Sequence, residues 1–520
     1  MVVFTVGDTS GNEDPVLLRH DSEFSVSSTY QDSSPNDLSV YQGAILLTAE
    51  CLGTGLLALP GDIHELGFTV GMTFLLLQFP INFAAGTLLS FSAQYVEEKQ
   101  RVEDRLFQAA LATRDDDDDD NAQADYRALN ELTAESAFTI QTTETAHTHL
   151  HHDTATYDFI GMTTALFRNS RQATRNVQLM YYTNLFLVLG NYILVMSHAV
   201  QAAIPGLCIP TAGAVATLGM LGVAQLRTMA HLGRTASVVS LAALLVVIVQ
   251  CLVAVRSTSS SSSSSLSNNG ATIVSTTVQA ADGSTATTSA NSSSLAFWVT
   301  TNTILKQLSS MGSIGFAVGS QKLLLNIRHE LVRRQDAPRT LLYGLAAFGT
   351  VYVSIILLAG PSPPSFLFDA IPTGTWNRRI AGLLLWGHVM VSYAINSQAL
   401  CASLERLVCP AWLNRAQPAL RWMFITGCMA LLSYTVANAI PFFDDLVALI
   451  GALTSVPLTL LLPALFWRKQ GHYPLWQPTW DSIPSWTLLM YATVFTVTAT
   501  VGSLWSIRQD WALHGAPFSC

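Results

Sequence analysis

Eleven apolar runs divide the chain: residues 41–66, 68–94, 178–203, 209–226, 235–255, 296–326, 340–360, 380–404, 420–440, 442–467 and 484–507. A helix needs about 20 apolar residues to cross a bilayer. The pattern therefore predicts an all-α membrane protein with about eleven transmembrane helices, in a domain covering residues 40–507. The fourth and sixth runs have the least distinct ends. Residues 1–39, rich in Ser and Asp, predict a disordered cytoplasmic tail, and residues 508–520 a short outer one. Residues 1–15 lack a basic start and a long apolar core, so no cleavable signal is expected and the first span must direct its own insertion.

Two long polar insertions interrupt the runs. The first, 95–176, begins as a charged, helix-like stretch (EEKQRVEDRLFQAAL) and continues into Asp115–Asp120. It also carries His147, His149, His151 and His152. Such tracts can bind metal, but a flexible polar linker fixes no geometry, and no metal site is expected. The second, 256–295, is rich in Ser and Thr and holds a glycosylation sequon at Asn291.

Composition narrows the class. Half of the residues are hydrophobic, 12% are charged, and the mean hydropathy is +0.36. A soluble chain carries about 25% charged residues. Formal net charge is −9, yet residues 95–158 alone hold sixteen acidic against five basic residues. The acidity belongs to one loop, and without a basic surplus no nucleic-acid partner is expected. Seven cysteines without a CxxC pair indicate neither a metal knuckle nor a disulfide framework. There is no nucleophile–base constellation, phosphate loop or HExxH, so no enzyme and no cofactor are expected.

The chemistry sits in two interrupted spans. In the first, Gly53-Thr54-Gly55 falls in mid-membrane with Pro60 following. Glycine loosens a helix and proline removes one of its hydrogen bonds. In lipid, freed backbone groups are tolerated only against protein or a cavity. There they can grip a carboxylate with N–H groups and a cation with C=O groups. A kinked helix or a seam of small residues gives the same pattern. The sixth span repeats the signal in Gly312-Ser313-Ile314-Gly315-Phe316-Ala317-Val318-Gly319-Ser320-Gln321. Two interrupted spans five apart point to an inverted-repeat transporter, spans 1–5 and 6–10, with span 11 added.

Several segments together resemble the amino acid/auxin permease family. They are GTGLLALP followed by Leu66-Gly67, the stretch from Tyr157 to Ala203 with Gly190-Asn191-Tyr192-Ile193, GFAVGSQKLLLNIRHEL at 315–331, Ser392 to Gln398 leading to Glu405, and Pro441 to Ala452. The resemblance covers nearly all of 38–507, and the two insertions depart from it. It implies secondary active transport of amino acids through a LeuT-like fold that alternates access around helices 1 and 6. By position, Gly53, Thr54 and Gly55 would hold the substrate carboxylate. Phe316, Ala317, Val318, Gly319 and Ser320 would face the amino group and side chain. Tyr192 would supply a hydroxyl, with Ser392 and Asn396 behind it; Tyr192 and Phe316 also suit plain packing. A non-transporting amino acid sensor, signalling through the 95–176 loop, is the alternative function.

Glu50 is the carboxylate placed well inside a span. An intramembrane acid is a functional candidate, or a neutral acid bonded to a neighbouring helix. His198 and His388 read as structural histidines, and Asp444 and Asp445 as caps of the tenth span at the outer surface. With Glu50 the one charge placed near the pocket, neutral substrates are expected. Sodium-coupled relatives tend to carry Asn four residues before the Gly-x-Gly, where this chain has Ala49. That favours a coupling proton, with Glu50 as its candidate carrier, over sodium. Glu13-Asp14-Pro15-Val16-Leu17-Leu18 resembles an acidic dileucine signal, in which Glu13, Leu17 and Leu18 would meet a sorting adaptor and send the protein to a vacuole or lysosome; the plasma membrane is the other destination.

With the N-terminus cytoplasmic and the spans alternating, 21 of the 26 Lys and Arg fall on the cytoplasmic side; without the 95–177 segment the split is 13 against 5. The positive-inside rule favours this orientation. A protease-accessible tag near Asp118 is therefore expected in the cytoplasm and one near Ser262 outside or in a lumen. The reverse pattern would overturn the orientation.

Overall fold

The computed structural model describes residues 38–115, 158–167, 170–225, 230–265, 292–407, 417–471, 473, 482–514 and 517–518. The sequon at Asn291, the dileucine stretch with Glu13, Leu17 and Leu18, and the four histidines at 147–152 lie outside the described residues. Among those described, the regular elements are helical, apart from one isolated bridge between Leu38 and Leu331.

The first span is two helices, α1 (Val40–Cys51) and α2 (Leu59–Leu66), joined through a 3-10 turn at Thr54–Leu57. The second is α3 (Phe68–Asp115), followed by the short α4 (Phe159–Leu166). The third to fifth are α5 (Arg171–Ala203), α6 (Ile209–Val223) and α7 (Ala230–Ser265). The sixth is again two helices, α8 (Ser292–Val318) and α9 (Gln321–Glu330). Then come α10 (Ala337–Ala359), α11 (Trp376–Leu407) and α12 (Pro418–Ala439). The tenth span starts as α13 (Phe443–Ile450), loosens into π turns at Gly451–Ser455 and Pro457–Leu461, and ends as α14 (Leu462–Gln470). The last is α15 (Ile483–His514).

Among the described residues, eight helices are long and apolar enough to cross a membrane. The first, fourth and sixth expected spans are not among them. The first is broken, α6 has only 15 residues, and α8 carries Lys306, Gln307, Ser309 and Ser310. The first insertion does begin helically, as a direct continuation of α3.

Local sequence sets the helix starts. Ser39 accepts from the Gln42 backbone N–H at 3.3 Å, while the Ser39 N–H donates to the Gln42 side chain at 2.9 Å; together they close a capping box ahead of α1. Asp158 caps α4 by accepting from the Gly161 N–H at 2.6 Å. Cys208, just ahead of α6, is disulfide-bonded, which the cysteine spacing did not foretell.

Burial separates the faces. On α15, Val494, Val497, Val501 and Leu504 are exposed at helical spacing, while Ala492, Phe495 and Ala499 are buried. Exposed ridges of this kind also run along α7 and α12, at Val246, Val249 and Val253 and at Leu431 and Leu432. A contiguous apolar exterior on such helices is what lipid covers. The protein is an integral, multi-pass, all-α membrane protein, and its tenth span is the most deeply buried of the eight.

The sixth and tenth spans cross at glycine. A Cβ on Gly312 would stand 2.6 Å from the Ala448 carbonyl oxygen, and one on Gly451 would stand 1.9 Å from that of Gly312. Gly312 and Gly315, expected to belong to the break, instead lie inside continuous helix and admit neighbours: Gly315 meets Val456 and Phe495. The break comes later, at Gly319-Ser320.

Backbone cannot yield as a flexible side chain does, and overpacking a core costs about 1–3 kcal/mol or more. Gly451→Ala is therefore expected to lower the thermal unfolding midpoint of the detergent-solubilised protein. Gly222→Ala, where an added Cβ meets nothing within 4 Å, should leave that midpoint unchanged.

Candidate functional site

Both helix breaks open onto one cavity of about 240 Å³. Glu50, Cys51, Gly53, Thr54 and Gly55 line it from the first span, and Phe316, Ala317, Gly319, Ser320 and Lys322 from the sixth. Tyr181, Asn184 and Tyr192 of α5, Asn326 and Glu330 of α9, and Asn396 and Gln398 of α11 add to its polar wall. Following the alternation of the spans, α1, α9 and these parts of α5 and α11 belong to the halves nearer the N-terminal side. The cavity lies toward that side.

The breaks are made by backbone geometry. At the first, α1 ends at Cys51, and the Gly53 N–H turns back to the Cys51 carbonyl at 2.9 Å before the 3-10 turn begins. At the second, the Ser320 N–H reaches the Val318 carbonyl at 2.7 Å, and α9 starts immediately after. One residue bridges the two. Tyr352 of α10 is fully buried, and its hydroxyl lies 2.6 Å from the Cys51 carbonyl and 3.0 Å from that of Ala317. Gly55 lets the two spans touch: a Cβ there would stand 3.0 Å from the Phe316 ring.

Buried amides and hydroxyls stiffen the wall. Asn191 donates to Thr54 Oγ1 at 3.2 Å, and Asn184 donates to Thr454 at 2.8 Å and to Ser455 at 3.0 Å. Lys322 Nζ donates to Ser455 at 2.7 Å and sits 4.8 Å from the centre of the Phe316 ring. Ser320 Oγ is buried and has no hydrogen-bond partner. Gln321 donates to the Asn82 carbonyl and side-chain oxygens at 2.7 and 2.9 Å, tying the start of α9 to α3.

The structure brings Glu50, Gly53, Thr54, Gly55, Tyr192, Phe316, Ala317, Gly319, Ser320 and Asn396 to the cavity. It does not bring Val318 or Ser392 there. Val318, the last residue of α8, is fully buried in the apolar core. Ser392 lies one turn from Asn396 and gives its carbonyl to the Asn396 side chain at 2.9 Å. Lys322, Cys51, Tyr181, Asn184, Asn326, Glu330 and Gln398 line the cavity and were missed. For Lys322 the signal was available, since it falls one helical turn after Gly319. Glu50 is therefore not the one charge at the pocket.

His388 meets Ser240 at 2.7 Å and His198 packs on Phe366, both away from the cavity. Asp444 and Asp445 do not cap α13 at the surface. Asp445 is 1% exposed, and both line a second, smaller pocket beside α2.

Among characterised proteins, the chain is 20% identical over 222 residues to "Lysine histidine transporter-like 4" of Arabidopsis thaliana, covering 39% of this chain and 47% of that protein. It is 22% identical over 241 residues to "Amino acid permease 2" of Arabidopsis thaliana (41% and 48%) and 22% identical over 241 residues to "Amino acid permease 3" (40% and 49%). The chain spans about half the length of these relatives. The match to the family model described as transmembrane amino acid transporter protein runs over residues 36–509, nearly the whole chain, and the chain belongs to that family.

Proposed function

We propose that the protein is a secondary active transporter of neutral amino acids, coupled to protons, alternating access around its first and sixth spans. The observation that carries the reading is the cavity at the meeting point of two broken helices. Its volume, about 240 Å³, lies just below the roughly 300–1,000 Å³ of pockets for drug-sized ligands, as suits a single amino acid. Each break offers a helix C-terminus rich in carbonyls and a helix N-terminus rich in N–H groups. Those ends attract an ammonium and a carboxylate respectively. The unpartnered Ser320 hydroxyl is a further group for a polar ligand to satisfy.

Lys322 stands with two carboxylates, Glu50 and Glu330, in the lining of this cavity, so both the carboxylate and the amino group of a zwitterion can find an opposite charge there. Ala49 offers no side-chain oxygen to a sodium ion, whereas Glu50 can take up and release a proton. The cavity's place near the N-terminal side supports an inward-facing state, given a cytoplasmic N-terminus.

Proteoliposomes containing the full chain should accumulate one or more neutral amino acids when an inward proton gradient is imposed. Replacing sodium with choline should leave uptake intact, and collapsing the pH gradient should suppress it. Loss of uptake in choline with no effect of pH would replace the proton by sodium. Binding without flux would instead identify a sensor. In the same assay Gly55→Val should abolish uptake with normal expression, because the added branches drive into Phe316. Full activity in that variant would move the site elsewhere.

We also infer delivery to an endosomal, lysosomal or vacuolar membrane through Glu13, Leu17 and Leu18. Changing Leu17 and Leu18 to Ala should shift the protein to the cell surface, and an unchanged distribution would dismiss the motif.

A further inference from the structure

A second pocket lies between α2, α8, α13 and α15, on the side of the protein away from the N-terminal end of α1. Asp62, Asp444 and Asp445 line it together with Ser309, Ser310, Ser313 and Ser506. Its free volume is about 10 Å³, close to what one water molecule occupies. Asp62 is 5% exposed and Asp445 1%. The Oδ2 atom of each is buried and accepts no hydrogen bond.

The charged groups facing this pocket do not neutralise it. Glu65 of α2 and Lys306 of α8 pair with each other at 2.9 Å and are half exposed, at the rim. Asp510 of α15 adds a further carboxylate nearby. Carboxylates crowded out of water cannot all remain ionised; like charges at one site share protons. A buried acid oxygen without a donor is equally costly when charged. Among the described residues no His, Cys, Asp or Glu cluster is arranged to hold a metal ion, and the space suits nothing larger than a water or a proton carrier.

We propose that this pocket is a proton-binding site, in which Asp62 and Asp445 take up protons from the side opposite the N-terminus past the Lys306–Glu65 rim. Asp62 stands on α2, the outer half of the broken first span, and Asp445 on the first turn of α13. Protonated, the acids of the two elements can stand together in one pocket; deprotonated, like charges on α2 and α13 line the same space and repel. The use of the site in coupling rests on the transport reading, whereas its occupancy by protons does not.

The test is an infrared pH titration of the purified full-length protein. A carbonyl-stretch band of protonated carboxyl should be present under acidic conditions, vanish on alkalinisation, and be diminished in Asp62→Asn and in Asp445→Asn. A band that both variants leave unchanged, or one removed by sodium at constant pH, would overturn the proposal. Ser506→Ala keeps every carboxylate and must move the midpoint of the band; an unmoved midpoint also overturns it. In proteoliposomes, Asp62→Asn should retain amino acid exchange and lose accumulation driven by the pH gradient. A titrating band in a protein that moves no amino acid would uphold the site and defeat the transport reading instead.

Discussion

A helix interrupted in mid-membrane releases backbone carbonyls and N–H groups where no water can reach them, and each needs a partner. The hydroxyl of Tyr352 answers that need at both breaks at once, facing the Cys51 and Ala317 carbonyls. A hydroxyl has one proton, so it cannot serve both carbonyls fully. Its position between them nevertheless fixes how far apart the two broken ends stand. Asn191 on Thr54 and Gln321 on Asn82 hold the flanking segments to α5 and α3. The broken segments line the cavity together with polar side chains such as Asn184, Ser320 and Lys322, which give it polarity.

The rest of the packing follows from keeping those breaks close together. Gly55 admits the Phe316 ring, and the crossing of Gly312 and Gly451 brings the sixth and tenth spans to backbone contact. Larger residues would separate the spans and leave the freed backbone groups without partners. The π turns of the tenth span lie at the same level. They bring Thr454 and Ser455 within reach of Asn184 and Lys322. Loosened winding at functional positions is a known use of π turns.

The breaks were legible in the sequence because glycine, hydroxyl and proline act locally: Gly53-Thr54-Gly55 and Gly319-Ser320 carry their conformations with them. The residues of the cavity wall were legible only where they adjoin a break. Asn184 and Tyr181 lie a helical turn or more before the quoted motif around Tyr192, and no local pattern marks them. Tyr352 reads as one more aromatic in an apolar helix until the fold sets it against residue 51. The cluster of Asp62, Asp444 and Asp445 escaped for the same reason. Two of its members adjoin each other, but the third is almost 400 positions away, and Asp444 and Asp445 alone look like a helix cap. Gly312 and Gly315 were misread because a glycine that permits close packing and one that breaks a helix look the same in a sequence.

The two sides of the protein are closed by different chemistry. Toward the N-terminus, Arg328 makes a bidentate pair with Glu97, which also pairs with Arg334, and Arg328 is 2% exposed. Beside it, Leu38 exchanges backbone hydrogen bonds at 3.1 Å with Glu330 and Val332, so the chain entering the first span is tied to the chain leaving the sixth. Breaking a buried ion pair by removing one partner costs about 3–5 kcal/mol, yet such a pair can open as a unit if both groups reach water. On the opposite side Arg378 pairs with Asp369 at 2.9 Å, but among the described residues no arginine lines the pocket between α2 and α13. That side is held by glycine-to-backbone contact between α8 and the tenth span and by carboxylates and serines between α2 and α13. Backbone contact of this kind does not titrate, and an arginine keeps its charge at any physiological pH. Ionisable acids therefore stand in both closures: Glu97 between two arginines on the N-terminal side, and Asp62, Asp444 and Asp445 in the pocket on the other. Opening the N-terminal side separates Glu97 from two arginines, whereas opening the far side parts α2 and α13 at a pocket whose acids face serines and one another.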